Sequence, residues 1–378
     1  MPISKCRVCA RKFFEEPLLR YQNMPMGAQH LPTLQTIGHD KGIELEIRQC
    51  SGCGLVQLSN DPVPYSKQVI RAAAFSQEMR EFRIKQFQDF VKRFALKEKK
   101  IIEIGCGGGE YLSLMRESGA DVYGIEYSKE SVEQCVRSGL KVTRGFIGSS
   151  KCRLKHAPFD AFFMLNFLEH LPDPNSALRG IHNNLKRDGI GLVEVPNFDM
   201  ILRKRLFSEF VSDHLLYFTK ETLETTLRTN GFVVVEINEV WHNYIISAVV
   251  KKRERLDMSH FYDHQTKVID QIEEYIGRFR SKRVAIWGAG HEAFAVASLA
   301  KLEDKVKYVV DSATFKQGRY TPATHIPIVP PDNLWLDPVD AVIVMAGSYS
   351  DEVARTLRER FGKDMNVAIL RDFGLEVI

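Results

Sequence analysis

Two pairs of cysteines within the first 53 residues most limit what this chain can fold into. Cys6 and Cys9 form one Cys-x-x-Cys pair, and Cys50 and Cys53 form a second. Each pair brings two sulfurs onto one tight turn, and four thiolates satisfy tetrahedral zinc without leaving a coordination position open. The sequence therefore predicts a structural zinc site at these cysteines. We expect residues 1–74 to be a zinc-binding module, otherwise irregular, because so short a segment buries little apolar surface unaided.

Length and composition point to a globular protein of two or three domains. The chain has 378 residues, of which 44% are hydrophobic and 26% charged, as in globular proteins generally. Its net charge of +4 is small, and acids separate its basic clusters, which argues against nucleic-acid binding. No stretch is apolar enough for a signal core or a membrane span. The three remaining cysteines are scattered, so we expect a cytoplasmic protein. The oligomeric state stays open.

Alternating strand and helix patterns follow the cysteine region. From residue 100 to residue 195 the alternation is typical of a doubly wound parallel sheet, and residues 219–250 read as a helix followed by an antiparallel closing pair. After a helical bridge the alternation restarts near residue 283. We therefore expect an α/β protein with a central domain over residues 75–252 and a smaller Rossmann-like domain over residues 253–378.

A glycine run in the central domain indicates a nucleotide-like cofactor. Gly105, Gly107 and Gly109 follow the first predicted strand, and such turns open a helix whose N-terminus can face a ligand. Glu103 lies two residues before the run, where a carboxylate disfavours a pyrophosphate and favours a cationic amino-acid tail. Glu126 ends the second strand, where an acid can accept both ribose hydroxyls. Together they favour S-adenosylmethionine over NAD.

Further residues near these strand ends are candidates for cofactor contacts. Tyr127 and Phe146 are placed to flank an adenine ring, although ordinary packing at strand ends explains them nearly as well. Asn166 follows the fourth strand and is a candidate to align the polar end of the cofactor. His170, in the same segment, is interpreted mainly as part of the wall behind the cofactor.

Several segments carry a resemblance to a known family. Residues 159–174 look like the fourth-strand motif of class I methyltransferases. The order of segments resembles the three-domain, zinc-containing sugar C-methyltransferases of deoxysugar biosynthesis, and the similarity runs nearly end to end. Residues 23–26 and 50–57 look like that family's zinc module, and residues 311–328 resemble its C-terminal signature closely.

The resemblance implies methyl transfer from S-adenosylmethionine to a carbon atom of a nucleotide-linked keto sugar. A base removes the proton beside the ketone, and the enolate takes the methyl group. His214 lies where the family has its base, and Asp213 is a candidate to orient or stabilise a neighbour. Val211 replaces a family tyrosine, and residues 242–245 replace a His-Gly-Gly-Ser run. Because both departures fall where substrate contacts are expected, O- or N-methylation of a sugar or other small metabolite stays open.

The C-terminal domain has its own glycine turn. Gly288 and Gly290 end its first strand, and Lys316 and Arg319 add positive charge further along. The resemblance implies that these residues bind the sugar nucleotide. An NAD site is the alternative, and Asp311, at the end of the next strand, is then the candidate ribose acid.

Overall fold

The computed structural model describes residues 3–27, 31–64, 67, 76–362 and 364–378. It divides into two compact units, Met1–Glu254 and Arg255–Ile378. The predicted boundary between residues 74 and 75 lies outside the described residues, so the division into three domains stays a prediction. Among the helices that the structure describes, none combines the length and hydropathy needed to cross a bilayer.

The first unit contains two sheets and the helices packed on them. In chain order, its elements are β1 (Leu19–Met24), β2 (Ile43–Gln49), β3 (Val56–Leu58), α1 (Gln77–Arg93), β4 (Lys100–Ile104), α2 (Glu110–Glu117), β5 (Asp121–Glu126), α3 (Lys129–Arg137), β6 (Lys141–Arg144), β7 (Phe159–Leu165), α4 (Pro174–Asn183), β8 (Leu185–Pro196), α5 (Phe198–Lys204), β9 (Leu216–Tyr217), α6 (Lys220–Thr229), β10 (Phe232–Val240) and β11 (Ile245–Lys252).

The larger sheet is the predicted doubly wound sheet. Its strand order is β10-β11-β8-β7-β4-β5-β6. The strands from β8 to β6 are parallel, and β10 and β11 close one side as an antiparallel pair. Apolar side chains cover both faces, with Ile101 and Phe163 packing beside α1 and α2, and Ile102 and Phe162 packing on the opposite face. Because parallel strands run the same way, the carboxyl ends of β4, β5 and β7 meet at one edge.

The expectation of an irregular cysteine region was wrong. The described part of residues 1–74 contains three strands, and β9 joins them from far along the chain in the antiparallel order β1-β2-β3-β9. The residues at 45, 47, 56 and 58 are buried against α5 and the segment before β9. Since this alternation of apolar and polar residues spans only a few positions, the prolines and glycines around it dominate the sequence pattern.

The second unit is the smaller α/β domain expected from the sequence. Its elements are α7 (Ser259–Gly277), β12 (Val284–Trp287), α8 (His291–Leu299), β13 (Val309–Val310), β14 (Ile328–Val329), α9 (Asn333–Leu336), β15 (Ala341–Val344), α10 (Ser350–Phe361), β16 (Asn366–Arg371) and β17 (Gly374–Val377). The sheet order is β14-β13-β12-β15-β16-β17, parallel except for β17. The sequence analysis did not anticipate β14 or β17.

Candidate active site

The four cysteines come together in one cluster. The sulfurs of Cys6 and Cys53 are 3.6 Å apart, those of Cys9 and Cys50 are 3.3 Å apart, and all four lie within 4.8 Å of one another. Zinc–sulfur bonds of about 2.3 Å in a tetrahedron require sulfurs about 3.8 Å apart. The arrangement therefore fits a four-thiolate metal site.

Donors around the cysteine cluster suit thiolate ligands. The backbone N–H groups of Val8 and Gly52 donate to the sulfurs of Cys6 and Cys50 at 3.4 and 3.3 Å. The side-chain amide of Gln57 donates to Cys6 at 3.3 Å. Such N–H···S bonds stabilise negative sulfur, since each donor places positive charge beside it.

The predicted glycine turn has a backbone that glycine alone adopts easily. Gly105, Gly107 and Gly109 have φ values of 71°, 53° and 86°. A side chain at Gly109 would also lie 2.5 Å from Leu140. The turn therefore needs glycine for its left-handed conformations and for close packing under α2.

Two buried carboxylates lie at this turn, on neighbouring strands. Glu103 on β4 is fully buried, and Glu126 at the end of β5 is 1% exposed. The two oxygens of Glu126 accept the N–H groups of Gly107 and Ser128, both at 2.9 Å. Glu126 therefore holds the glycine turn, and its remaining lone pairs can accept from a ribose hydroxyl.

The structure brings the two predicted adenine-flanking rings to one place. The Nζ atom of Lys67 lies 5.6 Å from the ring centre of Tyr127 and 5.7 Å from that of Phe146. Tyr127 is 39% exposed. Both rings therefore border the same space beside the end of β5.

Asn166 is the clearest sign of a ligand at this edge. It has a φ of 48°, which is uncommon outside glycine, and its N–H donates to the carbonyl of Glu194 at 2.9 Å. Its side-chain Oδ1 is buried and accepts no hydrogen bond from any residue that the structure describes. Buried polar atoms are normally satisfied, so this oxygen fits a contact with a bound cofactor.

A histidine pair lies just beyond Asn166. His170 ends a short 3-10 turn after β7, and its ring centre is 4.8 Å from that of His214. The Nδ1 atom of His170 donates to the backbone carbonyl of Asp213 at 2.8 Å. Since a carbonyl only accepts, this bond leaves the lone pair of the other ring nitrogen available. Asp213 therefore orients its neighbour His170 through the backbone.

Burial keeps both imidazoles neutral. Loss of solvent contact, and next the neighbouring His170, lower the pKa of His214 to about 3. Burial likewise lowers the pKa of His170, against the effect of its hydrogen bond to Asp213. His214 is only partly buried by its surroundings. A neutral imidazole with an open side can accept a proton from a bound molecule, although the lowered pKa makes His214 a weaker base than an exposed imidazole.

Glu169 is a site residue that the sequence analysis missed. Its carboxyl is 1% exposed, and neither oxygen has a hydrogen-bond partner among the described residues. Burial raises its pKa to about 8. Ligand atoms of Glu169, His170 and His214 lie within 4.8 Å of one another, an arrangement that could also hold a cation. Glu169 falls within residues 159–174, the segment that resembles the fourth-strand motif of methyltransferases, but that resemblance does not reveal the contact with His214.

The cysteine cluster is connected to His214 through the smaller sheet. Strand β3 pairs with β9, matching Val56 with Tyr217 and Gln57 with Leu216. The side chain of Gln57 also accepts from the N–H of Arg7 at 3.0 Å while donating to Cys6. The turn that presents His214 is therefore fixed on one side by β3, whose Gln57 also contacts the cysteine cluster.

A mainly apolar cavity of about 320 Å³ lies next to this turn. Its lining residues are Tyr21, Met24, Pro25, Phe207, Ser208, Phe210, Val211 and Ser212. Val211 and Ser212 directly precede Asp213 and His214 in the chain. The cavity therefore adjoins the turn that carries His214, although neither histidine is among its lining residues.

The structure shows which hydrogen bonds are made around the two segments that depart from the family pattern. The backbone N–H of Val211 donates to the hydroxyl of Tyr217 at 3.1 Å. Tyr244, in the replaced 242–245 segment, donates its hydroxyl to Glu209 at 2.7 Å. Residues 241–243 all have positive φ values. Both phenols are therefore engaged in holding loops.

The second unit carries a separate cleft of about 790 Å³ around its glycine turn. Gly288, Gly290, Asp311 and Lys316 line it, whereas Arg319 is exposed and lies outside the lining. Asp311 accepts the N–H of Ala289 and the ammonium of Lys316, at 2.8 and 2.9 Å. Burial alone would raise the pKa of Asp311, but these donors lower it.

The chain is similar in sequence to known methyltransferases. Residues 79–237 match the family described as methyltransferase domain, and residues 251–369 match the C-methyltransferase C-terminal domain. The C-methyltransferase NovU of Streptomyces niveus is 23% identical over 395 aligned positions, covering 95% of this chain and 93% of NovU. The ubiquinone biosynthesis O-methyltransferase of Haemophilus ducreyi is 33% identical over 108 residues, but these are 26% of this chain and 46% of that protein.

Solved structures show the same kind of similarity over part of the chain. An S-adenosylmethionine-dependent methyltransferase from Clostridium acetobutylicum is 16% identical and covers 50% of this chain and 96% of its own, with a TM-score of 0.39. The plantazolicin methyltransferase BpumL, in complex with SAH, is 15% identical and covers 47% and 86%, with a TM-score of 0.38.

Proposed function

Since the chain is an S-adenosylmethionine-dependent methyltransferase, we propose that it methylates a carbon atom of a nucleotide-linked keto sugar. The observation that carries this proposal is the neutral, partly open His214 beside His170, next to the edge that bears Glu103, Glu126 and Asn166. Carbon methylation needs a base at such a place, because a carbon acid must lose its proton before the carbon becomes nucleophilic.

The cofactor site is proposed at the carboxyl edge of the larger sheet. Glu126 would accept from the ribose hydroxyls, Tyr127 and Phe146 would flank the adenine, and Glu103 and Asn166 would contact the polar end. The cradle is completed by Gly105, Gly107 and Gly109, whose turn is held by Glu126. When bound, the cofactor supplies an electrophilic methyl group on a sulfonium.

His214 is proposed as the base. Its imidazole takes the proton from the carbon beside the ketone, and the electron pair of that C–H bond moves into the enolate. With the cofactor bound, the enolate carbon would form the new bond to the methyl carbon as the methyl–sulfur bond breaks, and the electron pair of that bond would stay on the sulfur, which leaves as a neutral thioether. Asp213 acts as a positioning residue, because its carbonyl fixes the tautomer and orientation of His170 against His214. The cavity beside Val211 receives the sugar ring.

The second unit is proposed to bind the nucleotide part of the substrate. Gly288 and Gly290 open α8, whose N-terminus faces the cleft and suits phosphate oxygens. Lys316 adds a positive charge on the cleft wall, and Arg319 can contribute only from outside the lining. We further propose a cytoplasmic location, in line with cysteines that form no disulfide among the described residues.

Zinc is proposed as the ion of the cysteine cluster. We expect about one zinc per chain by elemental analysis, with loss of zinc in Cys53→Ser and full retention in His214→Ala. A native protein without zinc would contradict the proposal. A second zinc equivalent that His214→Ala removes would place a metal at Glu169, His170 and His214, and His214 could not then serve as the base.

Turnover of labelled S-adenosylmethionine against nucleotide-linked sugars in deuterated water tests the main proposal. We expect turnover only with sugars that carry a keto group, and deuterium at the carbon beside the ketone. Transfer to a sugar without a keto group, and without exchange, would instead establish O- or N-methylation. The observation that favours this second function is the mainly apolar lining of the 320 Å³ cavity, where Val211 offers no hydroxyl donor for an enolate oxygen.

A further inference from the structure

Arg83 is a buried cation, and only some of its N–H donors have hydrogen-bond partners among the described residues. It lies in α1 with 0% of its side chain exposed. Its Nη1 atom donates to Gln86 at 2.8 Å and to the carboxylate of Glu194. Within the described ranges, its Nε and Nη2 atoms have no hydrogen-bond partner. Leaving two donors of a buried guanidinium unsatisfied is costly, which indicates an acceptor supplied by a ligand.

Two aromatic rings lie close to this guanidinium. The Cζ atom of Arg83 lies 5.2 Å from the ring centre of Phe82 and 5.1 Å from that of Tyr111. Tyr111 follows Gly109 by two residues, in the first turn of α2. Arg83 therefore lies beside the glycine turn of the cofactor site.

The sheet places Arg83 and Glu103 on the same side. Residues two apart on a strand share a face, so Glu103 lies on the face of Ile101 and Glu194 on that of Leu192, the face packed with α1 and α2. Strands β4 and β8 are separated only by β7, which puts them about 10 Å apart. Arg83, held on Glu194, therefore occupies the α1 side of the edge where Glu103 is buried.

We propose that Nε and Nη2 of Arg83 bind the carboxylate at the amino-acid end of S-adenosylmethionine, while Glu103 faces its ammonium group. Charges then alternate along the edge: Glu194 is negative, Arg83 positive, the ligand carboxylate negative, its ammonium positive and Glu103 negative. A guanidinium offers two parallel N–H groups that match one carboxylate. A phosphate in place of the ligand carboxylate would carry a second negative charge, which the buried charges from Glu194 to Glu103 would not balance.

The test compares two ligands that differ only in this carboxylate. Isothermal titration measures the affinity of S-adenosylmethionine and of its decarboxylated analogue, for native protein and for Arg83→Met. We expect native protein to prefer the carboxylate form by about ten- to a hundredfold, and Arg83→Met to bind both forms with similar affinity. No acceptor is involved, so failure here is distinguishable from failure of the carbon-methylation proposal.

A double variant and a control keep the result interpretable. Arg83→Met leaves Glu194 buried without its cation, so Arg83→Met combined with Glu194→Gln is measured as well, after checking folding by circular dichroism. Arg80→Met, on the same helix but paired at the surface with Glu117, should keep the native preference. Equal native affinity for both ligands, or an undiminished preference in the double variant, would overturn the proposal.

Discussion

The two units build the same kind of strand end and surround it with different charges. In the first unit Glu126, the last residue of β5, accepts the N–H of Gly107 at 2.9 Å; in the second unit Asp311, which follows β13, accepts that of Ala289 at 2.8 Å. The first unit adds a buried acid, Glu103, two residues before its glycines. The second has an apolar residue at the equivalent position 286 and neutralises its acid with a lysine.

This difference shows that the glycine turn supplies the shape of a site, while its neighbours select the ligand. Two buried acids suit a ligand with cationic groups, such as a sulfonium and an ammonium. A lysine beside a helix N-terminus suits an anionic ligand such as a diphosphate. On the proposals made above, one kind of glycine turn thus serves a positively charged cofactor in one unit and a negatively charged substrate in the other.

The largest effect is expected from testing whether residues of the first unit carry out the reaction. His214→Ala should lower turnover by on the order of a hundredfold or more, as loss of a general base does, while S-adenosylmethionine affinity stays near native. Turnover and titration measure the two quantities. His39→Ala, at an exposed position of the same unit, is the matched control, and near-native turnover of His214→Ala would remove His214 from the mechanism.

The next effect compares a buried acid that has no hydrogen-bond donor within the part of the chain that the structure describes, Glu169, with one that has several, Asp311. The pKa of Glu169 is about 8 in the fold and 4.5 ordinarily, so its burial penalty is absent below about pH 4.5 and grows as the pH rises to about 8. Between those values native protein should lose stability that Glu169→Gln retains, by at most about 5 kcal/mol. Urea unfolding at several pH values measures this.

Asp311 provides the control for that measurement. Its pKa is lowered in the fold, so its contribution is present above its ordinary pKa and is lost only in more acidic solution. Asp311→Asn should therefore leave the slope of stability between pH 4.5 and 8 unchanged. A native slope that Glu169→Gln does not alter would show that Glu169 finds a partner in solution.

A third prediction concerns Glu126 and Asp311, the two acids that accept an N–H group of a glycine turn. Glu126→Gln should weaken S-adenosylmethionine binding by about ten- to a hundredfold, because it loses charge-assisted hydrogen bonds to the glycine turn and the ribose. Asp311→Asn should leave that affinity unchanged. Isothermal titration of both variants measures these affinities. If Asp311→Asn weakened S-adenosylmethionine binding more than Glu126→Gln, the contrast drawn between the two units would be wrong.

The smallest expected effect lies in the second unit. Lys316→Gln should weaken binding of a nucleoside diphosphate by about tenfold or less, because the lysine is partly exposed and shared with Asp311. Affinity for S-adenosylmethionine should not change. Lys301→Gln, exposed in the same unit, controls for general loss of positive charge. Unaltered diphosphate binding in Lys316→Gln would remove the lysine from the substrate site.

The features predicted well from the sequence are those that a short stretch of chain determines. Alternating buried strands and helices indicated both α/β sheets, and glycine spacing indicated the turn at Gly105, because the period and the positive φ values are local properties. Each cysteine pair likewise lies within four residues, so the closeness of its two sulfurs is also a local property. The roles assigned to individual site residues stay predictions.

What the sequence did not reveal depends on contacts between distant segments. Glu169 and His214 meet only because the loop after α5 returns to the end of β7, where the N–H of Leu215 donates to the carbonyl of Glu169 at 2.8 Å. Arg83 gave no signal of its own, since an arginine on an amphipathic helix is normally exposed. The two residues of β9 are too few to show a period.

The pairing of β3 with β9 has a consequence for how the chain is made. During synthesis the edge of β3 stays unpaired until the ribosome has added about 160 further residues, because only then are Leu216 and Tyr217 available to pair with it. At ordinary synthesis rates this takes roughly 10 to 30 seconds. During that interval a bound metal ion would hold the first strands together, and the nascent chain would be exposed to edge-to-edge association with its neighbours.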